Sequence, residues 1–515
     1  MAPPAANSAA CRLESGTPNI NEIDGEKTIV DSVRHIAIVG GGFTGTLLAA
    51  HIMRLAAEPI RLTIIEKRDQ IGRGLAYSTA NADHLLNVRA ANMSAYPDDP
   101  KHFLRWLWAR DDPGTPATAI PPSGHAFVSR KLYGTYIQEQ FLIAQREAAA
   151  HVTCATLAEE AADLIRLPGG GFRLKMADGP VLDVDTVALC IGNFPPALPA
   201  VFDPESAQSP FHIRDPWSPE ALAAIPREAP VLILGTGLTM IDAVLSLRRS
   251  RHDGPIVALS RRGLLPQVHK EARSYPCCIE PGDSPLSIGE VVRRVRREIE
   301  AAAADRYDWR SVLDGLRPHL PALWNRLPPE EKSRFLRHVR PYWDVHRHRM
   351  APEIARRVAD LQQSGRLSIL AGRLRAVRLR PDGIEATIQR RRGGPDRILL
   401  PCWLINCSGP VADYRRIGDP LVRSLLDCGH ARPDPLGLGL DVTSSAAVVG
   451  GDGQVVDGLY ALGPVTRGRF WEITAVPELR EQCAAMAQLL VGLSRRPALP
   501  PAQLRWVGAA VPSCP

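Results

Sequence analysis

One arrangement occurs twice in this chain and restricts its fold more than any other feature. From Val33, VRHIAIVGGGFTGTLLAAHIMRL passes from a short β-branched run through a glycine cluster into apolar residues at helical spacing. RLTIIEKR follows as a second apolar strand, so a strand, a helix and a strand are complete near Glu66. From Ala229, APVLILGTGLTMIDAVLSLRR repeats the strand, the glycine turn and the helix, and GPIVALSRRG repeats the strand after it. Successive apolar strands joined by helices pair in parallel with both faces covered, so the expected class is α/β.

The glycine positions give these turns a chemical purpose. In Gly40-x-Gly42-x-x-Gly45 the first glycine permits a tight turn, the second lets a pyrophosphate reach the backbone, and the third lets helix and strand pack closely. The helix start adds free amides and the positive end of its dipole. Glu66 ends the next strand, 26 positions after Gly40, where a carboxylate can accept hydrogen bonds from an adenosine ribose. Gly235-x-Gly237 repeats the first two glycines, but Met240 stands at the third position, so looser packing is expected there. The following strand ends on Ser260-Arg261-Arg262 instead of an acid; guanidinium groups clamp a 2′-phosphate that a carboxylate would repel. Two Rossmann-like dinucleotide-binding domains are expected, with FAD at the first turn and NADPH at the second, and hydride passing from nicotinamide to flavin. A solvated arginine pair is the plainer alternative at the second site.

A chain of 515 residues has room for both domains and for a helical segment between about Ile288 and Leu361. The formal charge of +7 comes from arginines scattered along the sequence, and neither a basic recognition helix nor zinc-ligand spacing appears, so nucleic acid is not expected as a partner. The ten cysteines form no Cys-x-x-Cys pair and no regular framework, which suits a reducing cytoplasm. Cys402 and Cys407 lie in a buried-strand pattern, and neither they nor Cys277 and Cys278 are expected to be a redox pair. No stretch reaches the roughly 20 apolar residues of a membrane span. The opening residues lack a signal peptide's pattern and read as a loose arm over 1–33. RPYWDVHRHRM, with Tyr342, Trp343, Asp344, His346, Arg347 and His348, fits a helix-to-loop surface somewhat better than a polar substrate patch. His346 and His348 sit two apart, face different ways and make no metal site.

Several motifs together, IVGGGFTGTLLA, IGRGLAYSTANADHLLNVRAANMSAYPDDP, FVSRKLYGTYI, ALCIGNFPP, VLILGTGLTMIDA, SRRG, INCSGP and LYALGPVTRGRFWEITAVPELREQ, carry a resemblance. From about His35 to Leu490 the chain resembles a bacterial FAD/NAD(P)-binding family related to the ornithine and lysine N-hydroxylases. The resemblance implies that the NADPH domain is inserted in the FAD domain, with crossings at Gly192 and Gly409. The expected boundaries are 34–225 and 371–515 for the two parts of the FAD domain and 226–370 for the NADPH domain with its helical segment. It also implies that Arg73, Gly74, Tyr77, Asn87 and Met93 line the FAD or the substrate side of its ring, and that Gly463 closes the last FAD strand. Pro464 replaces the family's usual Asp there, and backbone amides or a residue between Trp471 and Arg480 are expected to substitute. The implied activity is an NADPH-consuming monooxygenase or hydroxylase of a small molecule, with dioxygen as oxidant; a flavin reductase or dehydrogenase, or a non-enzymatic redox sensor, are the alternatives. The Phe-x-Gly-x3-His fingerprint of other flavin monooxygenases is not intact in PFHIRDPW, where Phe211, His212 and Trp217 have different spacing. No residue stands out as a catalytic acid, base or nucleophile, and nothing sets the number of subunits.

Overall fold

The computed structural model describes residues 33–68, 70–110, 124–279, 287–391 and 393–493. The expected N-terminal arm lies outside them apart from Val33, as does everything beyond 493.

In chain order the strands are β1 (Arg34–Val39), β2 (Ile60–Ile65), β3 (Val152–Leu157), β4 (Ala161–Arg166), β5 (Phe172–Met176), β6 (Val181–Val184), β7 (Thr186–Leu189), β8 (His212–Ile213), β9 (Val231–Leu234), β10 (Ile256–Ser260), β11 (Leu367–Arg380), β12 (Gly383–Arg390), β13 (Arg397–Asn406), β14 (Ala447–Val449) and β15 (Val455–Ala461). They form two six-stranded sheets, β14-β15-β7-β1-β2-β3 and β12-β11-β10-β9-β13-β8, and a small sheet β4-β5-β6. In the first sheet β15, β7, β1, β2 and β3 are parallel. In the second, β11, β10, β9, β13 and β8 are parallel, with β12 added antiparallel. Both sheets are α/β layers of the doubly wound kind, as expected.

The apolar runs dictate this burial. β7 and β9 are buried at every position, which requires cover on both faces. The helix Phe43–Leu55 is buried from Phe43 to Met53, so it packs as a core element between its sheet and the helices Arg130–Glu147 and Val476–Gly492. At the third-glycine position of the second unit, Met240 is wholly buried, and the Ile241 amide reaches the Gly237 carbonyl over 3.3 Å, against 3.0 Å for Thr46 and Gly42 in the first.

The second sheet continues past the boundary expected at 370. β11 spans that point, and β12 and β13 follow it in the same sheet, because β13 pairs in parallel with β9 in register Trp403 with Val231 through Asn406 with Leu234. β8, upstream of 226, joins β13 at the other edge. The chain leaves the first sheet after β7 and returns after β13, and the two crossings touch each other through an antiparallel bridge between Phe194 and Val411. The helical segment, from Ile288–Ala304 to Pro352–Gln363, lies between β10 and β11 in sequence. It packs back on the first domain: Trp324 donates to the Gly468 carbonyl at 2.8 Å, and Trp343 donates to Glu472 Oε1 at 2.8 Å.

Candidate functional site

Each glycine turn sits against a crossing, and the two copies are nearly superimposable in their contacts. Gly40 adopts φ +101° and Gly235 φ +108°, values that favour glycine. A methyl on Gly40 would lie 2.3 Å from the Cys190 carbonyl oxygen, and one on Gly235 would lie 2.2 Å from that of Cys407. Gly45 is equally constrained, since a methyl there would come within 1.9 Å of the Gly40 carbonyl. Gly42 and Gly237 are the N-caps of their helices, and neither helix has a side-chain cap, in contrast to Ser129, Ser287 and Asp308 at other helix starts. The first-turn amides are thus left to be satisfied by something other than a cap, as an anion site requires. A methyl on Gly237 would meet nothing within 4 Å.

Around the first turn the structure gathers most of the residues singled out in the sequence. Glu66 accepts from the Gly41 amide at 2.8 Å through Oε2 and from the Arg68 amide at 3.0 Å through Oε1, which fixes its carboxylate at the rim. Gly72 donates to the Gly41 carbonyl at 2.8 Å, and a methyl on Gly74 would lie 3.0 Å from Gly42 Cα, so the segment 72–74 crosses directly beside the turn. Arg73 Nε donates to Gln138 at 2.9 Å. Tyr77 meets Phe43 and Tyr133 edge-on, and burial pushes its phenol up to about 12. Met93 is buried in the same core.

Asn87 stands elsewhere. Its carbonyl accepts from His269 Nε2 at 3.0 Å, at the junction of the two domains, where it lines a small cleft with Arg130, Leu238, Asp242 and Arg349. At the far end of the first sheet Gly463 adopts φ +79°, against Thr44 and Leu479. The Gly463 amide donates to Gln482 Oε1 at 2.8 Å, and Gln482 also reaches Thr466. Gln482 lies just beyond the stretch from Trp471 to Arg480 where a substitute for the family's Asp was expected; its position two turns into the last helix, facing Gly463, is a signal that helical spacing could have given. Gly192 and Gly409 adopt positive φ on the two crossings with open space above them.

At the second turn Ser260 organises the end of β10. Thr236 Oγ1 lies 2.9 Å from Ser260 Oγ and 2.6 Å from the Leu264 carbonyl, and the Gly263 amide donates to Ser260 Oγ at 3.0 Å. This turn presents Arg261 to solvent and turns Arg262 toward Tyr342, whose ring centre is 5.5 Å from the guanidinium carbon. Hydrogen bonds from Arg262 and Arg391 hold the Tyr342 phenol below its ordinary range. Arg391, which the sequence did not single out, thereby joins the cationic end of β10.

Comparison with known proteins adds a family to this geometry. Residues 37–194 match the FAD-NAD(P)-binding family. The chain carries an FAD-NAD(P)-binding domain. A curated relative, an L-aspartate N-monooxygenase (nitrosuccinate-forming) from Streptomyces cremeus, is 25% identical over 283 residues, 48% of this chain and 40% of that protein. The chain spans about two fifths of the length of the curated relatives it matches. Among solved structures, ornithine hydroxylase from Pseudomonas aeruginosa has a TM-score of 0.60 at 15% identity, covering 89% of this chain and 99% of that one. L-lysine 6-monooxygenase from Pseudomonas syringae has a TM-score of 0.58 at 15% identity, covering 88% and 98%. These likenesses show a shared two-dinucleotide-domain fold.

The remaining expectations divide. RPYWDVHRHRM is the helix Arg340–Arg347 and the loop after it, half-buried with Tyr342 exposed, and its inward side is charged: Arg347 lies 3.2 Å from Glu472 and 3.6 Å from Glu478, with side chains 12%, 5% and 20% exposed. What hid this from the sequence is that its partners come from the loop after β15 and the start of the last helix, over a hundred residues away. His348 is held neutral, its pKa lowered to about 4 by burial and by Arg347 beside it. His346 bonds the Tyr342 carbonyl and meets Trp309 edge-on, and no metal-binding cluster occurs among the described residues. His212 is buried in the edge strand β8 with Nδ1 on the Ala207 carbonyl, so PFHIRDPW serves sheet pairing there. Cys402 and Cys407 are buried free thiols that burial pushes well up, and Cys277 and Cys278 are also free. No described helix is long and apolar enough to cross a membrane.

Proposed function

We propose that this chain is an NADPH-dependent flavoprotein oxidoreductase that hydroxylates a small molecule. The observation that carries the reading is the pairing of two uncapped glycine turns, each against an interdomain crossing, one ending in Glu66 and the other in Arg261, Arg262 and Arg391. The residues fit the two cofactors. At the first turn the Tyr133 hydroxyl and Arg480 Nε are buried without hydrogen-bond partners among the described residues, as donors awaiting a polar ligand would be. At the second, the open space over Gly237 leaves room for a pyrophosphate.

In this reading the helix starts at Gly42 and Gly237 hold the two pyrophosphates, and Glu66 accepts from the adenosine ribose of FAD. Arg73, Gly74, Tyr77 and Met93 wall the flavin side, while Gly192, Gly409 and Gly463 let the backbone approach it. Asn87 lies with the domain junction, where the nicotinamide end of the second cofactor would arrive. Arg261, Arg262 and Arg391 clamp the 2′-phosphate that distinguishes NADPH from NADH. FAD, when bound, supplies hydride acceptance and the reaction with dioxygen. The protein's own part is to orient both cofactors and to keep water away, which the helical segment does by covering the loop after β15 with Trp324 and Trp343.

The N-monooxygenase likenesses favour hydroxylation, and burial of Cys402 and Cys407, whose thiols it pushes well up, argues against that pair as a thiol acceptor. The deciding experiment is the visible spectrum of purified protein before and after anaerobic NADPH. Flavin absorbance that bleaches, followed by oxygen uptake matched to a hydroxylated product, is the expected result. Bleaching without such a product would leave a reductase or dehydrogenase; flavin that NADPH leaves oxidised would point to a sensor.

A further inference from the structure

The excess positive charge that reads as scattered along the sequence gathers in one stretch of the second sheet. Residues 371–400 hold eight arginines and three carboxylates, so five of the chain's formal +7 charges fall within them. They form the far part of β11, all of β12 and the start of β13, an antiparallel meander beyond the parallel strands. Side chains alternate between its two faces, and residues directly paired across strands share one. Leu374 pairs with Ile388 and Val377 with Ala386, and these turn inward onto Ile384, Leu399 and Cys402 in the core. Arg373 pairs with Gln389, Ala376 with Thr387 and Arg378 with Glu385 on the other face, where Thr387 meets Ile398 in turn. Arg380 and Leu400 follow on that face by the two-residue period.

This outer face carries both charge and apolar surface. Arg373, Arg375, Arg378 and Arg380 are all exposed. Glu385 accepts from Arg380 Nε at 2.9 Å and lies 3.9 Å from Arg378, so it balances one of the four. Arg373 and Arg375 have no carboxylate partner among the described residues. Asp382 and Asp396 stand outside the strands, in the turns that join them. Beside the arginines, Ile398 and Leu400 are each 55% exposed. They lie on a stretch of β13 that β12 alone borders, since β9 and β8 join β13 only from Trp403 onward. Two aliphatic side chains left in water on an edge strand are an association hazard unless something covers them.

Charge and area select the cover. A second copy would bring like charges together. Three strands the length of β12, eight residues, also span only roughly 14 by 26 Å, less than half of the about 800 Å² that each partner gives to a stable interface. A nucleic acid would engage the arginines but leave Ile398 and Leu400 unused, and the face offers no aromatic ring on which a base could stack. An anionic bilayer uses both features, because guanidinium forks suit headgroup phosphates while aliphatic side chains enter the acyl boundary.

We propose that the outer face of β11, β12 and β13 docks on an anionic phospholipid bilayer, with Arg373, Arg375, Arg378 and Arg380 on the headgroup phosphates and Ile398 and Leu400 inserted beside them. Attachment of this kind is peripheral and needs no membrane-crossing helix. It does not depend on the flavoprotein reading, and binding rather than turnover reports it.

The test is co-sedimentation of the purified full chain with sucrose-loaded vesicles, made of phosphatidylcholine alone or with about 30 mol% phosphatidylglycerol, in about 0.1 M salt. The protein should pellet with the anionic vesicles and stay in solution with the neutral ones, and about 0.5 M salt should weaken binding severalfold. Arg373→Gln with Arg375→Gln should raise the lipid concentration for half-maximal binding at least about tenfold. Ile398→Ser with Leu400→Ser leaves every charge in place and should raise it severalfold; circular dichroism checks the fold of each variant, and Ile398→Thr alone serves if the pair does not fold. No binding to anionic vesicles, equal binding to neutral ones, or wild-type binding by either folded variant overturns the proposal. A duplex oligonucleotide bound more tightly than the vesicles would make this a nucleic-acid surface, and a dimer in gel filtration that the Ile398 and Leu400 substitutions dissolve would make it a contact between copies; each of these also overturns it.

Discussion

Glycines in this chain do different jobs at the same kind of turn, and substitution separates them. Gly40→Ala places a methyl 2.3 Å from the Cys190 oxygen at φ +101°, and Gly45→Ala places one 1.9 Å from the Gly40 oxygen. Both should destabilise the first domain by about 3 kcal/mol or more and yield protein without flavin, read by denaturant titration and absorbance. Gly237→Ala meets nothing within 4 Å and has no unusual φ, so the melting temperature should hold while the KM for NADPH rises about tenfold or more, because only the cofactor would meet the methyl. A wild-type KM in Gly237→Ala would remove the pyrophosphate from that turn. At the strand end, replacing Arg262 and Arg391 together by Ala should raise the KM for NADPH about tenfold while sparing NADH, the two guanidinium groups having converged on Tyr342. The glycines were legible because each turn is local. Arg391 was not, because it reaches Arg262 and Tyr342 only through tertiary contact, from the turn after β12.

Local pattern also set the limit at the scale of elements. Which sheet strands β11, β12 and β13 join is a matter of partner, and β13 pairs with β9 across more than 160 residues. The helical segment was readable as helices, while its docking through Trp324 and Trp343 on the loop after β15 and through Arg317 on the last helix was not. Between the two domains the helices Arg130–Glu147 and Leu238–Arg249 are joined by Arg130 and Asp242, 3.0 Å apart with side chains 15% and 8% exposed. Burial outweighs Arg130 and holds the Asp242 carboxyl above its usual range. Removing one partner of such a pair strands the other charge, so Arg130→Met should destabilise by about 3–5 kcal/mol. Adding Asp242→Asn should recover a large part of that loss in a double-mutant cycle followed by thermal melting. Additive losses would mean that the pair does not couple the domains.

Across the whole molecule, buried neutral histidines govern how stability responds to mild acid. Burial is the leading cause in each case, and it lowers His35, His51, His269 and His348 to about 4, aided at His35, His51 and His348 by Arg61, Arg54 and Arg347 respectively. The unfolded chain takes up these protons near pH 6.5, while the folded chain resists them until about pH 4. Stability therefore falls as the pH drops through that window, by up to about 1.4 kcal/mol per pH unit for each histidine. Asp242 and Asp434, raised by burial, act in the opposite sense where their folded range overlaps the window, and the carboxylates lowered by ion pairs, such as Asp413, matter only below it. Four bases against two acids leave a net loss, so urea midpoints should decline steadily between pH 7 and pH 5. His51 offers a clean test, because its Nε2 is buried without a partner and its ring packs edge-on against Tyr96 at 5.6 Å. His51→Leu keeps the volume and removes the proton site, so it should hold its stability at pH 7 and show a slope shallower by about one proton below pH 6. An unchanged slope would mean that His51 stays as easily protonated in the folded protein as in the unfolded chain.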